Sequence, residues 1–120
     1  VREIKFRGKR QKNGEWIYGS YISRGHHNYL YDLIIDYKSR KKAVIPETVG
    51  QFTGSKDKNG KEIYEGQKVR GFYDKTLVGE NEFHEDGVVV WNNELGSFSI
   101  DNGIIKPEFS CFESFIILDN

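Results

Sequence analysis

Glu82-Phe83-His84-Glu85-Asp86 sets one histidine among three carboxylates, the composition from which a general base oriented by an acid can be built. Consecutive side chains diverge, so the run is expected to be an acidic, solvated loop. His26 and His27 raise a metal reading, yet adjacent side chains on a strand point apart. No cysteine or further histidine stands at ligand spacing to complete a site, which leaves a polar loop tip. Cys111 would need a lowered pKa and a nearby base to serve as a nucleophile, and among Phe109, Phe112 and Phe115 it reads as core. Asp57-Lys58-Asn59 with Glu62 looks superficially like a calcium loop. The loop chemistry requires glycine at the sixth position and glutamate at the twelfth, whereas Gly60 is fourth from Asp57. Gly-x-Ser-x-Gly and glycine-rich phosphate loops are missing from the sequence. The expectation is a protein with no catalytic, cofactor or metal residues, and so not an enzyme.

Binding chemistry has more to draw on. Arg7, Lys9, Arg10 and Lys12, with Arg40, Lys41 and Lys42 of the KSRKK run, could neutralise phosphates while Trp16, Tyr18 or Tyr21 stacks on unpaired bases. A nucleic-acid complex of that kind would weaken steeply with salt. The competing reading puts Trp16 and Tyr18 in the core and the cations on a solvated strand face. Residues 1–60 hold 13 basic against 6 acidic residues and residues 61–120 hold 5 against 12, so surpluses of opposite sign cancel to zero net charge. The acids of the second half would repel a polyanion unless they faced away, whereas a dipolar module can be steered onto a protein. A protein partner is therefore the first expectation, because small open sheets also expose edges that accept another strand. Nucleic acid is the alternative, and a structural or self-assembling role, with a homo-oligomer, is the third.

The elements that must carry these residues read as antiparallel strands. REIKFRGKR alternates, with Ile4 and Phe6 on one face and Glu3, Lys5, Arg7 and Lys9 on the other. Asn13-Gly14 favours a two-residue type I′ turn, after which EWIYGSYIS runs back. Residues 29–37 place Tyr29, Tyr31, Leu33, Ile35 and Tyr37 opposite Asp32 and Asp36. KSRKK is a charged tip, AVIP a short return strand, and Pro46-Glu47-Thr48 can open one helical turn. QFTGSKDKNGKEIYEG reverses the chain at Asn59-Gly60 and leaves its acids and lysines to water, with Gly54 and Gly66 permitting backbone that a β-carbon would forbid. KNGEWIY at 12–18 and KNGKEIY at 58–64 share five residues, which reads as one turn solution used twice rather than a repeat.

After Gly66 come KVRGFYD, the acidic loop LVGENEFHED, GVVVWNNE, a turn at Gly96, SFSID, a turn at Asn102-Gly103 and the apolar FSCFESFIIL. Short strands separated by frequent turn signals indicate a barrel or sandwich. The run Gly87-Val88-Val89-Val90-Trp91 is expected to be buried on both faces or nearly so. Ser110 and Glu113 have capping-box spacing, but Ile116 and Ile117 favour a strand for the last segment.

A chain of 120 residues makes one domain or two small subregions sharing a core. Seventeen aromatic residues offset a shortage of aliphatic bulk. No apolar run approaches the length that crosses a bilayer, and a lone cysteine suits a reducing cytoplasm.

REIKFRGKR, NGEWIYGSYI, IPETVGQFTG and above all QFTGSKDKNGKEIYEGQKV together resemble the YopX family, small proteins encoded largely by bacteriophages and prophages. The likeness is close over the first 75 or so residues and looser beyond. It implies a β-rich fold with an SH3-like barrel after the central motif, a phage accessory protein in a bacterial cytoplasm, and no settled activity. Members commonly carry aspartate after the Glu-Gly pair, where this chain has Gln67. The combined expectation is a mostly-β domain over 1–120: antiparallel hairpins in residues 1–63 packed on an SH3-like small β-barrel in residues 64–120.

Overall fold

The computed structural model describes residues 3–24, 31–78 and 83–119. Among them the chain forms ten strands: β1 Phe6–Lys9, β2 Trp16–Ile22, β3 Asp32–Ile35, β4 Lys41–Val44, β5 Gly50–Lys56, β6 Glu62–Tyr64, β7 Lys68–Tyr73, β8 His84–Asn92, β9 Ser97–Asp101 and β10 Phe112–Ile117. Among the described residues helix is confined to single turns at Pro46–Thr48, Lys75–Val78 and Phe109–Cys111. The first is the turn expected after Pro46, and the last segment is a strand, as its β-branched residues favour. No described helix is long and apolar enough to cross a membrane. The pairings β1–β2, β1–β5, β2–β3, β3–β4, β7–β8, β7–β10 and β8–β9 are antiparallel, and the chain divides into two compact units, Val1–Gly54 and Ser55–Asn120.

In the first unit the strands lie in the order β4-β3-β2-β1-β5. Their shared apolar face gathers Ile17, Ile34 and Val44, with Phe6, Tyr21 and Val49 packed around them. Gly8 makes room for this core, since a β-carbon there would stand 2.8 Å from Val44 Cγ2. The chain leaving β4 crosses onto the far side of β1, where Ile45 N–H donates to Lys9 O at 2.9 Å and Lys9 N–H donates to Thr48 Oγ1 at 2.8 Å.

The second unit is an open sheet, β10-β7-β8-β9, whose strands do not close on themselves. Its core is aromatic: Phe98, Phe112 and Phe115 bury with Ile63, Val69, Val89 and Ile100, and Tyr73, Phe109, Cys111 and Ile117 pack against them. Gly71 lets this layer approach, because a β-carbon would come within 2.7 Å of both Ile100 and Phe112.

Several expectations need correction. Asn13 and Asn59 do not take positive φ; only their glycines do, at 69° and 79°, so neither turn is type I′. The first hairpin closes through Gly14 N–H to Arg10 O and the second through Gly60 N–H to Asp57 O, so the shared heptapeptide does not mark one turn used twice. The turn that does recur joins Asp36–Arg40 to Asp57–Lys61. In each, the aspartate N–H donates to the last residue's carbonyl, its carbonyl receives the fourth residue's N–H, and its Oδ1 receives the third and fifth N–H groups. An aspartate that folds back on its own backbone in this way replaces the asparagine-led turn. Asp57 is consequently buried rather than left to water.

On β3 the buried residues are Asp32 and Ile34, not the Leu33-Ile35 face. Asp32 is tolerated there because its Oδ2 receives the Tyr21 hydroxyl at 2.5 Å and its Oδ1 the Arg24 N–H at 3.0 Å. Tyr29 lies outside the described residues. Ile4 is exposed while Arg7 is buried, which inverts the expected faces of β1 at those positions. The Gly87–Trp91 run alternates at first, with Gly87 and Val89 buried and Val88 exposed, because one face of β8 meets the aromatic layer; Trp91 shares the face of Val89 and lies 4.9 Å from the Phe98 ring, yet stays partly exposed near the strand's end.

Candidate functional site

Strand register decides which of the cations and aromatics meet. Arg7 pairs with Tyr18 and Lys9 with Trp16, so these four share one face of the first sheet. Ser20 pairs with Ile35 and Ile35 with Lys41, which brings Lys41 to the same face; Lys42, one residue on, belongs to the opposite face and is half-buried. Arg7 is not available to phosphate. Its guanidinium carbon lies 3.8 Å from the centre of the Trp16 ring and the residue is 6% exposed, while Lys9 Nζ stands 5.6 Å from the same ring. The indole is therefore half-buried and engaged by its own cations, the flat approach of guanidinium to ring being the favourable one. Tyr18 stays 46% exposed. Arg40 is also committed, its Nε donating to Asp36 Oδ2 at 3.0 Å. The Asp36 carboxyl is held below the usual carboxylate range, chiefly by the Arg40 N–H. Of the ten predicted nucleic-acid contacts, Arg7, Arg40 and Tyr21 are thus occupied within the fold, the last packed on the first core with its hydroxyl on Asp32, and Lys42 faces away from Lys41.

Arg10 and Lys12 sit elsewhere, in the β1–β2 hairpin tip. With Gln11, Tyr31 and Ala43 they line an open cavity of about 280 Å³. The Tyr31 hydroxyl donates to Gln11 Oε1, fixing one wall. Neither Arg10 nor Lys12 has an ion-pair partner among the described residues.

The Ala43 wall belongs to a sheet edge. The Asp36–Arg40 turn closes with Asp36 N–H to Arg40 O, so Arg40, Lys42 and Val44 direct their backbone groups at β3, whereas Lys41, Ala43 and Ile45 direct theirs outward. Ile45 N–H reaches Lys9 O. The outward groups of Lys41 and Ala43 meet no partner among the described residues. Sequence reasoning named edges in general but not this one; the signal was the lysine pair within a short strand that a proline follows two residues on, the usual dress of an exposed edge.

The carboxylate and histidine run does not converge. Glu82 lies outside the described residues, as do His26 and His27. His84, Glu85 and Asp86 belong to β8 rather than to a loop, and alternation separates them. His84 is exposed, its ring 6.2 Å from Phe72. Asp86 takes a two-pronged contact from Arg70 at 2.7 and 2.9 Å, which holds its carboxyl below the ordinary range. Glu85 points to the opposite face and accepts the Tyr73 hydroxyl at 3.1 Å and the Asn102 amide. Burial, then the Glu85 contact, pushes the Tyr73 phenol up to about 12. Cys111 is half-buried against the aromatic core. Among the described residues no group of three histidine, cysteine or acidic side chains could hold a metal ion.

Gln67 is buried, at 5% exposure, and its Oε1 accepts the Tyr64 N–H at 2.7 Å. The side chain thus closes a turn of its own chain, a task that a carboxylate oxygen at this position could also perform.

The model of the family described as YopX protein matches residues 5–116, well past the segment where the sequence likeness is closest. No curated protein matches the chain.

Proposed function

The chain belongs to the YopX family, and from that premise we propose that it is a non-catalytic binding module that receives an extended strand of a protein partner along β4. One observation carries the reading: Lys41 and Ala43 present outward N–H and C=O groups at a sheet edge, beside a cavity that Ala43 lines together with Arg10, Gln11, Lys12 and Tyr31. Strand addition takes affinity from such main-chain groups and specificity from the side-chain pockets next to them. The scattering of His84, Glu85 and Asp86 over two faces supports a role without chemistry. The second unit, four antiparallel strands on one aromatic layer, supports an SH3-like reading of that part. A phage or prophage accessory role in the host cytoplasm is the setting that goes with the family resemblance.

Ala43→Pro tests the reading, because proline removes an outward N–H without touching the bonds to β3. A bacterial protein recovered by the wild-type chain and lost with Ala43→Pro, at unchanged folding, is the expected outcome. Equal recovery by both chains would remove β4 from the account. Nucleic acid stays the second reading, favoured by Lys9, Lys12, Lys41 and the half-exposed Tyr18 on the first unit. A gel shift at low and high salt checks it, and no shift even at low salt sets it aside.

A further inference from the structure

Charge identifies the kind of strand that β4 can receive, an inference resting on the edge reading above. Lys38, Lys41 and Lys42 flank the edge, and among the described residues only Arg40 of that run has an ion-pair partner, Asp36. Two copies paired edge to edge in a register centred on Lys41 or Lys42 would set that lysine directly across from its copy, an arrangement that like charges oppose. An acidic strand meets the reverse condition.

Register makes the requirement specific. A partner residue directly opposite Ala43 projects to the same face as Ala43, and Ala43 is a wall of the cavity that Arg10 and Lys12 also line. Ala43 carries only a methyl group, so a longer side chain from the facing strand has room to pass it. Two residues along the partner, the next side chain on that face comes opposite Lys41. We infer that the occupant of β4 is an extended segment with acids at alternate positions, one carboxylate entering the cavity between Arg10 and Lys12 and the next pairing with Lys41. The five donors of the guanidinium fork and the Lys12 ammonium suit a carboxylate there.

The test titrates the full chain with a labelled short peptide alternating glutamate and valine, its glutamine counterpart, and a glutamate peptide N-methylated on the amides that would face β4. The glutamate peptide should bind, and the glutamine peptide should bind about tenfold more weakly or worse. Arg10→Glu with Lys12→Glu, both in a hairpin tip, should reproduce that loss and transfer preference to a lysine-valine peptide. N-methylation should abolish binding without any change in the protein. Equal binding of the glutamate and glutamine peptides would overturn the acidic assignment and leave strand addition standing. Undiminished binding of the N-methylated peptide would overturn both. Tighter binding of a single-stranded oligonucleotide, lost in the charge-reversed variant, would overturn the acidic strand in favour of a polyanion.

Discussion

Among the described residues the first unit's core cluster is three aliphatic side chains, with Phe52 buried as well, and its β4 edge is open, while the second unit's core cluster holds seven residues, three of them phenylalanines, and its edges are covered by its own chain. On β10, Phe115 O receives the Lys58 N–H at 2.9 Å; on β9, Ile100 N–H reaches Pro107 O at 3.0 Å and Ser99 bridges Glu108. Each aromatic side chain buries a large apolar area, so three phenylalanines give the second unit a broad apolar layer between its sealed edges. An edge strand that is short, lysine-flanked and unsealed is managed against self-pairing rather than against pairing as such.

That contrast breaks first at Phe115. Its ring lies 4.5 Å from Phe109 and 5.6 Å from Phe112, and Phe115→Ala should cost about 3–5 kcal/mol in urea denaturation. Ala43→Thr, on the open edge, has no packing to lose and should stay within about 0.5 kcal/mol. Similar costs at the two positions would show that the edge is packed after all.

Gln67→Ala sharpens the account of the second unit. The Tyr64 N–H would lose its acceptor in a buried place, for a loss of about 1–3 kcal/mol and faster hydrogen exchange at that amide. An unchanged exchange rate at Tyr64 would mean the side chain does not close the turn.

Strand succession, the antiparallel pairing and the Pro46 turn were legible because alternation and turn residues act over a few positions. What escaped was set by partners distant in sequence. Asp32 is buried where Tyr21 and Arg24 supply donors, and Arg7 where its guanidinium meets Trp16, which lies across from Lys9 one step along the ladder. The Asn-Gly pairs misled for a different reason: the glycine does take positive φ, but the loop length and, in the second turn, Asp57 decide how the hairpin closes. Of the candidate site, Arg10, Lys12 and Lys41 were visible as charges. Their relation to the Ala43 edge and to Tyr31 required the fold.

A smaller effect separates the units by pH. The Asp36 carboxyl is below the ordinary range because Arg40 N–H, Lys38 N–H and the Arg40 side chain bond to its charged form. A folded pKa below the unfolded one gives stabilisation that is full above the unfolded value and is lost as pH falls through the folded value. Denaturation at descending pH should therefore show a shallower acid limb for Asp36→Ala than for the wild type. Asp86, held down by Arg70, contributes with the same sign in the second unit and should keep its share in that variant.

The smallest effect is the most direct probe of the recurring turn. Ser39 and Gly60 occupy the same position in it, at φ 62° and 79°. A side chain in left-handed backbone costs about 1–2 kcal/mol, from which the greater entropy that glycine loses on folding must be subtracted. Ser39→Gly should thus stabilise by roughly 0.5 kcal/mol and Gly60→Ser should destabilise by a similar amount, read as opposite shifts of the denaturation midpoint. A β-carbon at Gly60 meets nothing within 4 Å, so sterics with neighbours do not enter the second variant. If both substitutions shifted stability in the same direction, the two aspartate turns would differ in their demand on the fourth residue, and their common hydrogen-bond pattern would not imply a common backbone energy.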